Sequence, residues 1–165
     1  MRTNFLRRAL VAFAAVLALT AGAVMTSSPA QAAWGSQIPV TIQVTGNGHS
    51  LGYANGWVQF DTGGTTFQYS ITVCRQSSYT TPTLTVAVNN QSNNQVGTVV
   101  ATHYMSSWTP GGTAPCYGGS QTFTGVHSYS PLSNTYFLLA GNTFVNGNNF
   151  TVFTQDRLVY KQYTY

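Results

Sequence analysis

Residues 67–74 read Phe-Gln-Tyr-Ser-Ile-Thr-Val-Cys, so that apolar and polar side chains alternate along the chain. Successive side chains of a β-strand point to opposite faces, and this period of two predicts a strand with one buried and one solvated face. The same alternation recurs in residues 40–45 and 84–88. Since no window beyond residue 32 has a long helical period, the pattern predicts an all-β domain.

Turn-forming residues separate the predicted strands. Asn47-Gly48 and Asn146-Gly147 are dipeptides typical of tight hairpins, and Asp61-Thr62-Gly63-Gly64 ends the extended segment that begins at Trp57. The polar stretch 89–95 is expected to join two strands as a hairpin. A last strand is expected near residues 157–163. Eight or nine short strands without intervening helices predict a single antiparallel β-sandwich. The sequence leaves immunoglobulin-like and jelly-roll connections open as alternatives.

The first 32 residues have the features of a cleavable signal peptide. Arg2, Arg7 and Arg8 form a basic start, an apolar run follows, and Ala30-Gln31-Ala32 fits the small-x-small cleavage motif. A permanent membrane anchor is the less favoured alternative, because polar and small residues interrupt the apolar run. We expect cleavage after Ala32 and a secreted domain of residues 33–165, with the general or the twin-arginine export route left open.

Cys74 and Cys116 are the two cysteines of the chain, and both lie in the exported part. In an oxidising compartment a lone pair predicts one disulfide. Closing a loop of about 42 residues should stabilise the fold by about 4 kcal/mol. A redox or metal-binding pair would require closer spacing, such as Cys-x-x-Cys, and further ligands. We therefore expect a structural bridge.

The charge of the exported domain limits its partners. The domain contains three cationic residues and two carboxylates, so its formal charge is +1. These residues are Arg75, Arg157 and Lys161, and Asp61 and Asp156. Three cations cannot form the basic surface that phosphate backbones or anionic membranes require. The composition therefore argues against nucleic acid and, after signal cleavage, against a membrane surface as partners.

Few side chains in the exported domain could carry out acid–base catalysis. A glycosidase needs two carboxylates across one bond, and a nucleophilic serine enzyme usually presents its serine on a recognisable motif. No such motif is present, nor is a histidine pair with metal-ligand spacing. We expect a turn-forming Asp61, an ion pair between Asp156 and Arg157, and packing roles for the histidines. We therefore predict that the protein is not an enzyme and has no cofactor or metal. The side chains considered for acid–base catalysis are Asp61, Asp156, His49, His103 and His127.

Aromatic residues are abundant in the exported domain, and several fall outside the predicted core faces. Rings on loops rich in Ser, Asn and Gly are typical of recognition surfaces, because a rigid ring provides contact area at low entropic cost. One of them, Trp108, could instead cover the end of the sandwich beside the disulfide, and the two roles are compatible. The predicted binding residues are Trp34, Trp57, Tyr79, Trp108 and Tyr117.

Three classes of binding function remain, and the first is favoured. In the first, the domain engages another extracellular protein as an adaptor, accessory subunit or inhibitor, with the sheet edges and residues 34–40 offered for strand addition. In the second, it is a lectin-like module for a neutral polysaccharide, which its low charge and Asn/Gln/Thr content suit. In the third, it is a self-assembling surface protein, because strand-rich segments and the tract 89–95 favour association. The first is preferred because the chain has no room for an attached enzyme that a polysaccharide-binding module would serve.

In size and composition the exported domain resembles small secreted β-sandwich proteins of Gram-positive bacteria, including accessory subunits of secreted complexes. The resemblance implies a bacterial, extracellular protein that works within a larger assembly. It involves no motif, so it assigns no functional residue.

Overall fold

A computed structural model describes residues 33–90, 97–106 and 112–162 of the chain. The predicted signal peptide, residues 1–32, lies outside the described residues. The described part is all-β, as expected, and contains eight strands and no helix. The strands are β1 (Ile38–Gly46), β2 (His49–Phe60), β3 (Thr66–Arg75), β4 (Thr83–Val88), β5 (Thr98–Tyr104), β6 (Ser120–Ser128), β7 (Asn134–Val145) and β8 (Asn149–Tyr160).

The strands form two four-stranded sheets. The first sheet has the order β1-β2-β3-β6, and the second has the order β5-β4-β7-β8. All neighbouring strands are antiparallel. The prediction of two antiparallel sheets is therefore confirmed.

The core lies between the two sheets and follows from the alternation of the sequence. Phe67, Tyr69, Ile71 and Val73 of β3 are all at most 2 % exposed. They pack in one cluster with the inward residues of β4, which begin at Leu84. Burying each large apolar side chain contributes roughly 1.5–3 kcal/mol. The period-two pattern therefore selects the face of each strand that is removed from water.

Two Asn-Gly turns connect strands as the sequence predicts. Asn47 and Gly48 have φ values of 48° and 76°, and Asn146 and Gly147 have values of 52° and 80°. Two successive residues with positive φ form the tight turn that matches the twist of a hairpin, and Asn and Gly tolerate this conformation best. These turns join β1 to β2 and β7 to β8. The predicted pairing of β4 with β5 is also confirmed, with most of their connection, residues 91–96, outside the described part.

Two strands are longer than the sequence pattern predicts. The pattern places the second strand at residues 57–60 and the last from residue 157, but β2 begins at His49 and β8 at Asn149. In β2 the alternation is interrupted by glycines. A Cβ atom at Gly56 would lie 1.9 Å from the backbone oxygen of Ser70, so glycine is required where β2 and β3 approach each other. The strand continues there because of its neighbours, even though glycine itself weakens strands.

The predicted disulfide between Cys74 and Cys116 is confirmed. It ties the end of β3 to residues 112–119, which lead into β6. Backbone hydrogen bonds reinforce the link, since Gly118 N–H donates to the oxygen of Arg75 and Arg75 N–H donates to that of Gly119. In the described ranges, no helix is long and apolar enough to cross a bilayer.

Candidate functional site

Four exposed apolar side chains form a surface that we call the apolar patch: Tyr79, Phe144, Phe150 and Val152. Their exposed fractions are 62 %, 38 %, 49 % and 58 %. Phe144 and Phe150 are direct cross-strand partners at the tip of the β7–β8 hairpin, and Val152 is two residues further along the same face of β8. The patch therefore lies on the outer face of the second sheet, at its hairpin end.

The three rings of the apolar patch pack edge to face. The ring centroids of Tyr79 and Phe144 are 4.9 Å apart with an interplanar angle of 80°. Those of Tyr79 and Phe150 are 6.2 Å apart at the same angle, and those of Phe144 and Phe150 are 5.6 Å apart at 69°. This arrangement places the positive edge of one ring against the negative face of the next. The rings hold one another in place while a large part of each stays in water.

Buried polar groups fix the loop that carries Tyr79. Ser78 and Asn142 are only 1 % and 9 % exposed. The Ser78 hydroxyl accepts a hydrogen bond from Asn142 N–H (2.9 Å), and Asn142 Oδ1 accepts one from Thr80 N–H (2.9 Å). The backbone of Tyr79 is bound directly, because its N–H donates to the Asn142 carbonyl at 2.8 Å. Satisfied buried networks of this kind make a loop rigid, so the Tyr79 ring is held against Phe144.

Arg75 secures the same loop from the other side. Its Nε donates to the Ser78 carbonyl at 2.7 Å, and its Nη2 donates to the Tyr79 carbonyl at 2.8 Å. Hydrogen bonds from a charged donor are stronger than those between neutral groups. One of the few cations of the domain therefore positions Tyr79, a predicted binding residue.

The outer face of the first sheet is a second surface, which we call the polar face. Its side chains point away from the core by the register of β1, β2, β3 and β6. All of them are uncharged, and most carry amides or hydroxyls. The polar face includes Pro39, Thr41, Gln43, Tyr53, Asn55, Trp57, Gln59, Thr66, Gln68, Ser70, Thr72, Thr122, Thr124, Val126 and Ser128.

Two of the predicted binding residues lie at this face. Trp57 is half-buried within it, and Tyr117, which is 60 % exposed, stands beside its end. There Tyr117, Ser50, Gln76 and Ser77 line a shallow hollow of about 410 Å³. Gln76 connects the hollow to the polar face, because its Oε1 accepts a hydrogen bond from Gln43 Nε2 at 2.7 Å.

Trp34 lies in the N-terminal segment beside the end of β2, next to the Gln59 end of the polar face. It forms a β-bridge with Asp61, and the next residue, Gly35, donates its N–H to the Phe60 carbonyl at 2.9 Å. The cleft lined by Gly35 and its neighbours encloses about 50 Å³, far below the roughly 300–1,000 Å³ of small-molecule sites. Of residues 34–40, positions 38–40 already pair with β2 and Val40 is fully buried, while β1 remains an edge strand of the first sheet.

The remaining binding candidate, Trp108, lies outside the described residues. Sequence analysis missed Phe144, Phe150 and Val152, the hairpin residues of the apolar patch. A signal for them exists, because Phe144 and Phe150 are spaced evenly about Gly147 and share the outward parity of β7 and β8. Apolar side chains that point outward next to a turn do not pack in the core, so their presence there indicates another role.

Two histidines, one from each of the edge strands β5 and β6, contact Tyr69. The Tyr69 hydroxyl and Nε2 of His103 share a 2.6 Å hydrogen bond, and the His127 ring stacks on Tyr69 with a centroid distance of 5.9 Å. Burial raises the pKa of Tyr69 to about 12. Burial and, secondarily, the nearby His127 lower the pKa of His103 from 6.5. Both imidazoles are half-buried among aromatic rings, so their predicted packing role is confirmed.

The two carboxylates have different surroundings. Asp61 Oδ1 accepts hydrogen bonds from the N–H groups of Thr65 (2.9 Å) and Thr66 (2.8 Å), which confirms its turn-forming role. The expected ion pair between Asp156 and Arg157 is wrong. These residues are consecutive in β8, so their side chains point to opposite faces, and no salt bridge joins them. Within the described ranges, no three His, Cys, Asp or Glu side chains come together as a potential metal site.

Comparison of the chain with protein-family models, with curated proteins and with solved structures finds no match.

Proposed function

We propose that this chain is exported, loses residues 1–32 and works as a non-catalytic binding protein that engages another extracellular protein through the apolar patch. The observation that carries the proposal is the packing of three exposed rings, Tyr79, Phe144 and Phe150, at one end of the second sheet. Clustered aromatic side chains with solvent-exposed faces are typical of the hot spots of protein interfaces.

Three features support a protein as the partner of this patch. Val152 extends the rings into a contiguous apolar area, and such areas on a soluble domain mark interaction sites. The loop of Tyr79 is held by Ser78, Asn142 and Arg75, so little entropy is lost on binding. The area is dominated by ring and methyl groups, which suits an apolar partner surface better than a hydroxyl-rich glycan.

The test is capture of partners from the culture fluid of the producing organism by the tagged, disulfide-intact domain, read by mass spectrometry. We expect a stoichiometric secreted protein with the wild type and its loss with Tyr79→Ala and with Phe150→Ala. Each truncation should weaken binding by about 30-fold, the effect of an interface hot spot of about 2 kcal/mol.

Tyr160→Ala is the matched control, because Tyr160 is 62 % exposed, as Tyr79 is, but lies at the other end of β8. It should leave capture unchanged. Capture of no protein, or equal capture by Tyr79→Ala, Phe150→Ala and the control, would contradict the proposal.

A further inference from the structure

The polar face differs from the apolar patch in its chemistry and has no role in the function proposed above. Hydrogen-bonding side chains cover it in rows that cross the strands, and none of those side chains is charged. A charge-free surface offers nothing to attract an anionic polymer or a charged peptide. A ligand for this face must therefore be neutral and rich in hydrogen-bonding groups.

Side chains of the polar face hold one another in fixed positions. Thr41 Oγ1 donates to Asn55 Oδ1 at 3.3 Å, and the hydroxyls of Thr72 and Thr122 share a hydrogen bond of 2.8 Å. Each carboxamide has two donors and an acceptor with two lone pairs, and each hydroxyl both donates and accepts. These cross-strand pairs therefore orient the groups and still leave capacity for a ligand.

The two amides beside Trp57 are ordered in the same way. Gln68 Nε2 donates to Gln59 Oε1 at 2.8 Å, while Gln59 Nε2 donates to the Gly35 carbonyl at 2.9 Å. The chain of bonds runs from the N-terminal segment across β2 to β3. Long side chains that are already ordered lose less entropy when a ligand binds.

Aromatic rings are placed at intervals along the same strand. Tyr53 and Trp57 are four residues apart on one face of β2, so their Cα atoms are separated by roughly 13 Å. Both are half-buried, so part of each side chain faces solvent. Tyr117 stands beside the start of β2, beyond Tyr53, where the disulfide fixes its segment. The order along the strand is Tyr117, Tyr53, Trp57.

We infer that the polar face binds a neutral, extended polysaccharide that lies along β2. A neutral sugar presents hydroxyls, which match the amides and threonines, and apolar C–H surfaces, which match the flat rings of Trp57 and Tyr53. Rings spaced by roughly 13 Å along a strand suit successive units of one extended chain better than a single small sugar. The absence of charge on this face favours a neutral glycan over an anionic one.

The two surfaces lie on the outer faces of different sheets, so one domain can hold both ligands at once. The domain would then attach its protein partner to an insoluble neutral polysaccharide. The inference about the polar face uses none of the residues of the apolar patch, and either proposal can fail while the other stands.

The test is co-sedimentation of the disulfide-intact domain with four insoluble neutral polysaccharides: cellulose, chitin, a β-1,3-glucan and starch granules. We expect the wild type to sediment with at least one of them, and Trp57→Ala to weaken that binding by about tenfold or more, the usual scale for a buried aromatic contact. Asn55→Glu places a charge at an exposed position between the two rings and should abolish binding without disturbing the core.

Tyr79→Ala and Tyr160→Ala are the controls, and both should sediment as the wild type does. The melting temperature of each variant shows whether it is folded. If Trp57→Ala does not fold, Asn55→Glu serves as the test. Failure of the wild type to sediment with all four polysaccharides would overturn the inference. Equal sedimentation by the wild type and Asn55→Glu would overturn it too. So would a loss of sedimentation in Tyr160→Ala as large as that in Trp57→Ala.

Discussion

The apolar patch and the polar face both carry aromatic rings, but they organise them in opposite ways. In the apolar patch the rings touch one another, with centroids 4.9–6.2 Å apart. On the polar face Trp57 and Tyr53 are separated by Asn55 and surrounded by amides and hydroxyls. A contiguous apolar area is poorly hydrated and gains most from complete burial by a partner, whereas isolated rings among polar groups stay well hydrated. Aromatic content alone therefore does not distinguish the two surfaces, but the neighbours of each ring do.

Removal of the disulfide should have the largest effect and should separate the two surfaces. The double variant Cys74→Ser, Cys116→Ser loses the constraint on a loop of 42 residues, so we expect the free energy of unfolding to fall by about 4 kcal/mol. The segment that carries Tyr117 would also lose its covalent tether to β3, leaving the backbone hydrogen bonds of Gly118 and Gly119. Polysaccharide binding should therefore weaken more than capture of the protein partner, provided that both are measured at a temperature where the variant is folded.

Chemical denaturation of the oxidised wild type and of the double variant measures this difference. A loss of less than about 1 kcal/mol, well below the usual cost of removing a native disulfide, would contradict a structural role for the bridge. An equal fall in both binding activities would show that the two surfaces are not separable in this way.

Asn142→Ala should have an intermediate effect and act on the apolar patch alone. The substitution leaves the Thr80 N–H, and the other groups that Asn142 binds, without their buried partner. Leaving buried polar groups unsatisfied costs about 1–3 kcal/mol. The loop of Tyr79 should become mobile, so protein capture should fall while sedimentation with polysaccharide stays unchanged.

Asn55→Ala is the matched control, because Asn55 is an exposed asparagine in a strand of the other sheet. It should change the free energy of unfolding by less than about 0.5 kcal/mol. If Asn142→Ala were as stable as this control, the polar network under Tyr79 would have no role in fixing the loop.

Acidification should have the smallest effect and should act on neither surface directly. Because the pKa of His103 is lowered in the folded state, the unfolded chain binds more protons as the pH falls through 6.5. The stability should therefore be constant above this pH and decrease below it, as charge develops beside His127 and the buried Tyr69. Melting temperatures between pH 8 and pH 5, a window chosen to span the ordinary titration range of histidine, would record the change.

His103→Gln should flatten this dependence, and His49→Gln, at an exposed histidine, should leave it intact. A decrease of the same size in His103→Gln would assign the effect to another group. Both ligands should be retained at every pH at which the domain stays folded, because neither surface contains His103 or His127.

Local patterns predicted most of the strands and the turns between them. The alternation in β3, the Asn-Gly turns and the pair of cysteines each depend on residues close in sequence or on a small number of possible partners. The starts of β2 and β8 were mispredicted because these strands are maintained by their neighbours in the sheet. At Gly56, for example, the requirement for glycine arises from the backbone of Ser70 on the adjacent strand.

The candidate sites could be predicted only in part. Tyr79, Trp57 and Tyr117 were identified as aromatic residues outside the pattern of the core, but the sequence could not assign them to different surfaces. Tyr79 reaches Phe144 and Phe150 across more than sixty residues of sequence. Its loop is fixed by Asn142, and no local sequence pattern predicts this role of Asn142.

The sequence by itself determined that this domain is all-β, disulfide-bonded and nearly uncharged. These properties follow from the period-two geometry of the strand, from the cysteine count and from composition. Only the tertiary structure decided that one group of aromatic side chains gathers into an apolar patch, while the others stand apart on a polar face. The reason is that strand order and register set the neighbours of each outward side chain, and these neighbours are distant in sequence.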